Sequence, residues 1–333
     1  EGVDVKWYSN KEGLKYDYVV SPGANYSTIQ LNISGAQSIS LSKKGELVIA
    51  TPIGNIIEEA PLVMQGEKIL SASWVINKNV VSFKINNVDP SKSFVIDPGV
   101  RIWGTYYGGI GPEVGQATSV DSQNNVYMSG VTNSYAGTVM ATVGSHQYIA
   151  SGGNDCFLAK FTPSGTRIWA TYYGGGTGED YAYACPVDAN DNVYMAGRTE
   201  STVNIATAGS HQQNYGGGIQ DAFLVKFNSA GVRQWSTYYG GSCEDLGYGA
   251  ACDKQGNVFL SGYTCSSGSI SSPGSFQPAF GGGLIDGFLV KFNSAGVRQW
   301  GTYYGGSGDE KAYSCSVDKL GNLYLPGQSS TPT

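Results

Sequence analysis

Few residues in this chain have the types needed for acid–base or metal chemistry, and most of those recur at a fixed interval. The two histidines, His146 and His211, lie in matching Gly-Ser-His-Gln segments, and the third copy of that segment carries Phe276 instead. A catalytic imidazole would hardly be repeated and then replaced by a phenyl ring, and two separated histidines offer no Ser-His-Asp or Cys-His pairing. Packing or loop hydrogen bonding is the expected role. Acidic residues stand before four apolar segments: Glu113, Glu179 with Asp180, Glu244 with Asp245, and Asp309 with Glu310. Gathered with backbone carbonyls at the mouth of a channel they could hold Ca²⁺; the plainer alternative is a solvated negative rim that caps loop amides, with no cofactor required. Asp155, Asp221 and Asp286 each follow a Gly-rich stretch and open an apolar one, where a short acceptor can tie down loop amides. No carboxylate pair departs from the repeat background as an acid/base couple would, so no enzymatic activity is expected.

The six cysteines lack the Cys-x-x-Cys spacing of a zinc site. If Asp253 and Asn257 flank a hairpin turn, cross-strand partners have index sums near 510, and Cys243 and Cys265 sum to 508. Their side chains should then be cross-strand neighbours, which predicts a disulfide and an oxidising, extracellular setting. Cys156, Cys185, Cys252 and Cys315 are expected to be small buried hydrophobes.

The elements that position these residues follow from an internal period. Trp103, Trp169, Trp235 and Trp300 each begin a Trp-x-Thr-Tyr-Tyr-Gly-Gly segment, at intervals of 66, 66 and 65 residues. Asp155–Phe161, Asp221–Phe227 and Asp286–Phe292 repeat Asp-x-Phe-Leu-x-Lys-Phe, and Asp121, Asp188, Asp253 and Asp318 each precede an Asn by four. Turn residues and alternation divide each period into four antiparallel strands; in the third copy these are about 246–252, 257–264, 287–293 and 297–304. Such sheets cannot bury both faces alone but can when stacked radially, as the blades of a β-propeller. Together these motifs resemble the seven-bladed β-propeller (SBBP) repeats of large secreted and surface proteins of bacteria, over Arg101 to about Gly327. Segments such as Leu14-Lys-Tyr-Asp-Tyr18 and Phe94-Val-Ile-Asp-Pro98 resemble the β-rich domain that often precedes those repeats.

The fold expected is therefore all-β: a β-sandwich-like domain over 1–98, then an incomplete propeller over 99–333. The latter has an outer strand at 100–107, blades at about 112–174, 178–240 and 243–305, and a partial blade at 309–327. Because a lone outer strand opens the series and two strands close it, we expect a fragment of a longer protein. Composition agrees: 48 Gly and 23 Tyr among 333 residues, with only 46 charged, suit strands and turns rather than helices. A net charge of −6 without any basic run argues against nucleic acid, and no apolar stretch is long enough for a membrane helix.

The resemblance implies a non-enzymatic extracellular scaffold, adhesion or protein-interaction module at a bacterial surface, some relatives being exported by type IX secretion. Expected partners are other surface proteins, glycans or the secretion machinery. The alternative is a carbohydrate-binding propeller using the loops at His146, His211, Tyr215 and Phe276.

Overall fold

A computed structural model describes residues 2–10, 13–51, 54–97, 105–134, 140–163 and 165–331. Its contacts divide the chain into two units, Glu1–Gly104 and Thr105–Thr333. Among the described residues the one helical element is a 3-10 turn at Tyr26–Thr28, and no helix is long and apolar enough to cross a membrane.

In the first unit the strands are spread over three antiparallel sheets. Val3–Asn10, Gly13–Val20, Phe94–Asp97, Leu62–Gln65 and Lys68–Leu70 form one, in that order. Leu31–Asn32, Val80–Ile85 and Ala72–Asn77 form the second, and Ser38–Leu41, Leu47–Thr51 and Gly54–Glu58 the third. Period-two alternation directs the sides: along Val80–Ile85, Val81, Phe83 and Ile85 are buried while Lys84 faces solvent. They join Tyr18, Val20, Val63, Trp74 and Ile96 in a single core. The pair Leu62–Gln65 and Lys68–Leu70 is too short to show alternation, and so was not foreseen.

The second unit is of propeller type. Three four-stranded antiparallel sheets follow one another, each paired in sequence order. The first blade contains Glu113–Val120, Val126–Thr132, Asp155–Phe161 and Arg167–Tyr173; the second Asp180–Ala184, Val193–Thr199, Asp221–Phe227 and Arg233–Tyr239. The third contains Asp245–Cys252, Val258–Thr264, Asp286–Phe292 and Arg298–Tyr304. Among the described residues two short pairs follow, Glu310–Ala312 with Gly327–Ser329 and Ser316–Val317 with Leu323–Tyr324. Turn chemistry sets the hairpins between first and second strands: Asn124, Asp191 and Gly256 adopt φ of 62°, 60° and 79°, a region that Gly, Asn and Asp tolerate best. The third strands of the first two blades are buried along their whole length: that of the second lies between the first and third blades, and that of the first has the second blade on one face and Tyr107 with Met140 on the other. The expected outer strand falls largely at 100–104, outside the described residues, and 105–109 form no strand. Tyr107 nevertheless packs on Phe157 and Phe161, as Tyr173 does on Phe223 and Phe227 one blade later.

Candidate functional site at the blade junctions

The repeated motif residues converge where one blade meets the next. Asp121 Oδ1 accepts the amides of Gln123 and Asn125 at 3.0 and 2.8 Å, closing the first hairpin. Its other oxygen lies 3.0 Å from Lys160 Nζ on the third strand. Lys160 also donates to the carbonyl of Ser229, in the turn between third and fourth strands of the next blade, and the indole N–H of Trp169 donates to that same carbonyl at 3.0 Å. Gly231 of this turn, at φ +80°, lies flat on the Trp169 ring, where a Cβ would come within 3.0 Å of indole carbons. One blade later Lys226 and Trp235 repeat the arrangement on Ser294 and Gly296. The Asp, Lys, Trp and turn Gly of the motifs thus form one interlock.

A second device lies at the other end of the strands. Asp245 opens its blade and is fully buried. It accepts from the Gly241 amide at 2.7 Å, from Ser266 Oγ at 2.9 Å and from the Thr264 hydroxyl. Asp180 does the same with Gly175, Ser201 and Thr199, and Glu310 with Gly306, Ser329 and Thr331. Glu113 accepts from Thr132 and Ser134. A solvated rim was expected here, and for Asp180, Asp245 and Glu310 that expectation is corrected: these carboxylates turn inward because each blade supplies hydroxyls one strand away. Glu179, Glu244 and Asp309 instead reach the preceding blade, accepting from Asn154, Gln220 and the Leu284 amide respectively. Among the described residues no three His, Cys, Asp or Glu side chains gather as a metal site.

Each inward carboxylate faces a second one. Asp221 of the preceding blade accepts the Gly216 amide at 2.6 Å and Gln212 Nε2 at 3.2 Å on Oδ2, while its Oδ1 is buried without a donor. Between the two stands Gly240: a Cβ there would lie 2.6 Å from Asp245 Oδ2 and 2.9 Å from Asp221 Oδ1. Asp155 with Asp180 across Gly174, and Asp286 with Glu310 across Gly305, repeat this pairing, and Asp155 and Asp286 each keep an Oδ1 without a donor. Burial, together with repulsion from Asp180 or Asp245 and against the pull of loop amides, pushes the carboxyls of Asp155 and Asp221 up to about 7. Asp245 is raised to about 6, chiefly by burial. A proton on Asp155 or Asp221 would remove the charge repulsion between the facing carboxylates. The amide-tying role expected of Asp155, Asp221 and Asp286 is what their Oδ2 atoms perform.

Of the loop residues singled out as a ligand site, the two histidines lie between blades. His146 packs on Tyr173 and on Phe227 of the next blade, and His211 likewise on Tyr239 and Phe292. Burial, with Arg233 or Arg298 nearby, lowers each imidazole to about 4, so both are neutral near pH 7. Tyr215 sits edge-on to Tyr238. Phe276 is 80 % exposed and stacks only on Tyr304. Cys243 and Cys265 are bonded across the hairpin, with Cα atoms 5.4 Å apart; Cys156, Cys185 and Cys315 are buried, and Cys252 is half-buried.

Two groups escaped the sequence reading. Gln147, Gln212 and Gln277, the last residues of the Gly-Ser-His/Phe-Gln segments, accept the amides of Gly174, Gly240 and Gly305 and so orient the carboxylate pairs. Their recurrence was visible, but the amides that donate to them lie 27 or 28 residues away. The other is a row of half-buried to exposed tyrosines, Tyr183 and Tyr248 on successive first strands and Tyr313 just after Glu310–Ala312, with centroids 5.0 and 5.8 Å apart. Beside it the Arg198 guanidinium lies 4.1 Å over the Tyr181 ring. The first blade has Gln116 at the matching place, so the row departs from the repeat.

Comparison with known proteins bears on both units. Residues 1–99 match a family described as a domain of unknown function, DUF7948. The chain is also similar to an uncharacterized WD repeat-containing protein, L264, of Acanthamoeba polyphaga mimivirus: 25% identical over 253 residues, covering 68% of this chain and 18% of the viral protein. That likeness and the repeated four-stranded sheets agree on a propeller-type repeat protein.

Proposed function

We propose that this protein is a non-enzymatic interaction module, a propeller-type scaffold preceded by a β-sandwich-like domain, working outside the cell within a larger bacterial surface protein of the SBBP kind. One observation carries the reading: the ionic, aromatic and hydroxyl residues of the repeat motifs hold blade to blade, which leaves loops and turns to face partners. The Cys243–Cys265 disulfide supports an oxidising setting. Partners of this class are other surface proteins or glycans, with type IX secretion as the export route. Ca²⁺ at Glu179, Glu244 or Asp309 belongs to the same proposal as an optional ligand. The test is protease treatment of intact producing cells: the protein is cleaved if it is surface-exposed, and survival until lysis overturns the location.

Glycan binding is a second reading, favoured by the tyrosine row, since aromatic faces flanked by Arg198 and by Glu179 and Glu244 suit stacking and hydrogen bonding to sugar rings. It predicts glycan-array signals that disappear in Tyr248→Ala; signals that survive that change would reject the row as the site.

A further inference from the structure

The fourth strand of each blade opens on an arginine, and the three differ in what they hold. Arg167 Nη1 donates to the Met140 carbonyl of its own blade at 3.0 Å. Arg298 reaches the corresponding Ile270 carbonyl at 3.4 Å and that of Ser269 at 3.5 Å. Arg233 makes no hydrogen bond or ion pair among the described residues. The carbonyl equivalent to those of Met140 and Ile270 is that of Ile205, and it already accepts the hydroxyls of Tyr173 and Ser236, both at 2.7 Å, which fills its two lone pairs. The second blade alone carries a serine at that place, where the others have Ala170 and Gly301. One arginine is thereby displaced from the structural contact that its counterparts make. Half-buried, Arg233 is the one charged residue among the described residues lining a groove of about 400 Å³ between the first and second blades. Ser145, His146, Trp169 and Val232 also line it, and the Ser145 hydroxyl is buried without a partner. One blade later Ser210, His211, Trp235, Val297 and Arg298 line a groove of about 510 Å³, and the Ser210 hydroxyl again has no partner.

We propose that the Arg233 groove binds an acidic sugar, a pyranose ring bearing a carboxylate, and that the Arg298 groove is its weaker copy. The proposal rests on the glycan reading above but uses none of the tyrosine row. A guanidinium is a planar fork that takes both oxygens of a carboxylate, and a half-buried one without an acceptor is left with desolvation that nothing offsets. The Ser145 hydroxyl and the His146 imidazole, neutral near pH 7, can each donate and accept, as ring hydroxyls require. The Trp169 N–H is taken by the Ser229 carbonyl, so its indole offers the groove apolar edge, and Val232, 56 % exposed, adds to the surface against which the C–H face of a pyranose can lie. No carboxylate among the described residues lines the groove to repel such a ligand. Arg298 already has two carbonyls within 3.5 Å, and a ligand there must compete with them.

The experiment is isothermal titration of the whole chain with tetragalacturonate, with its methyl ester as the uncharged control. We expect binding of the acid that weakens about tenfold or more in Arg233→Gln, several-fold in Ser145→Ala and less in Arg298→Gln, with the ester bound no better by the wild type than the acid is by Arg233→Gln. Tyr248→Ala should leave the affinity unchanged. Arg233→Gln and Ser145→Ala should melt at the wild-type temperature, because neither side chain has a partner within the chain to lose; a clear drop in Arg233→Gln would give the arginine a structural role and overturn the proposal. Absence of binding, equal affinity for acid and ester, or affinity that survives Arg233→Gln overturns it too, and array signals with Tyr248→Ala then judge the tyrosine row separately. Equal binding of tetraglutamate would make the groove a site for acidic peptides and likewise reject the sugar.

Discussion

In the 1–104 unit, Lys92 and Asp89 pair at 3.6 Å with side chains 69 % and 44 % exposed, around a core that is apolar apart from Gln65. In the repeat unit, Lys160 and Asp121 pair at 3.0 Å with side chains 6 % and 0 % exposed, and the Asp155–Asp180 and Asp221–Asp245 pairs are fully buried. The difference follows from architecture. Strands around a single core can turn their polar faces to water, but a blade stacked on both faces has no wet side, so its polar side chains must find partners in the sheet or in the neighbouring blade. Buried ionic groups then define the spacing and register of blades, because any other arrangement strands a charge.

The largest test of this contrast is Lys160→Met. It leaves Asp121 and the Ser229 carbonyl without their shared cation, and removal of one member of a buried pair costs about 3–5 kcal/mol. The measurement is the urea midpoint of the repeat unit; a loss below about 1 kcal/mol would show that the amides of Gln123 and Asn125 alone satisfy Asp121. Next in size is the disulfide. All six cysteines lie in the repeat unit, and opening the Cys243–Cys265 loop, a sequence separation of 22, is expected to cost about 2–4 kcal/mol. Melting with and without reductant, beside a Cys243→Ser/Cys265→Ser variant, checks it, and the signals of the 1–104 unit should not respond.

The carboxylate pairs predict a pH dependence of definite sign. Asp221 titrates near 7 in the folded chain against 3.8 in the unfolded one. Folding therefore favours its neutral form: that contribution is intact below about pH 4 and is lost as the pH rises through 7. Asp121 and Asp253 run the other way. Burial raises them, but their Asn and Lys partners outweigh it and hold both below the usual carboxylate value, so their contribution is lost on acidification. Asp221→Asn keeps an acceptor for Gly216 and removes the charge that faces Asp245 across Gly240. We expect little change below about pH 4 and a gain of about 1–3 kcal/mol at pH 8, within the roughly 4 kcal/mol that a shift of this size represents. An identical pH profile in wild type and variant would remove the titration of Asp221 from the account.

How much of this was legible depended on the reach of each contact. The Asp253–Asn257 turn was readable because donor and acceptor lie four residues apart, and the blade strands because their motifs recur. Lys160 was visible as a motif residue, but its acceptor Ser229 lies 69 residues on, in the next copy, and no local pattern says that copies interlock. Asp180 and Asp245 were taken for rim residues because the end of a strand does not show which way its side chain turns. The clue was the Thr-x-Ser that begins on the last residue of each second strand, at Thr132, Thr199 and Thr264: repeated hydroxyls at fixed distance from a repeated carboxylate imply an inward bond. The three-sheet layout of the first unit was beyond reach, since it has no repeat against which short strands could be recognised.

The smallest expected effect is the counterpart of the first. Lys92→Ala should leave the midpoint of the 1–104 unit unchanged within error, because Asp89 is already fixed by other means: it accepts the Ser91 amide and hydroxyl at 3.0 and 2.6 Å, and its backbone is bracketed by Gln65. An exposed ammonium adds little to a carboxylate so held, and salt screens what remains. The pairing of the two lysine variants matters more than either alone. If Lys92→Ala were as damaging as Lys160→Met, exposure would not be what separates the two pairs, and the view that stacking on both faces forces the repeat unit to build its junctions from buried charge would lose its basis.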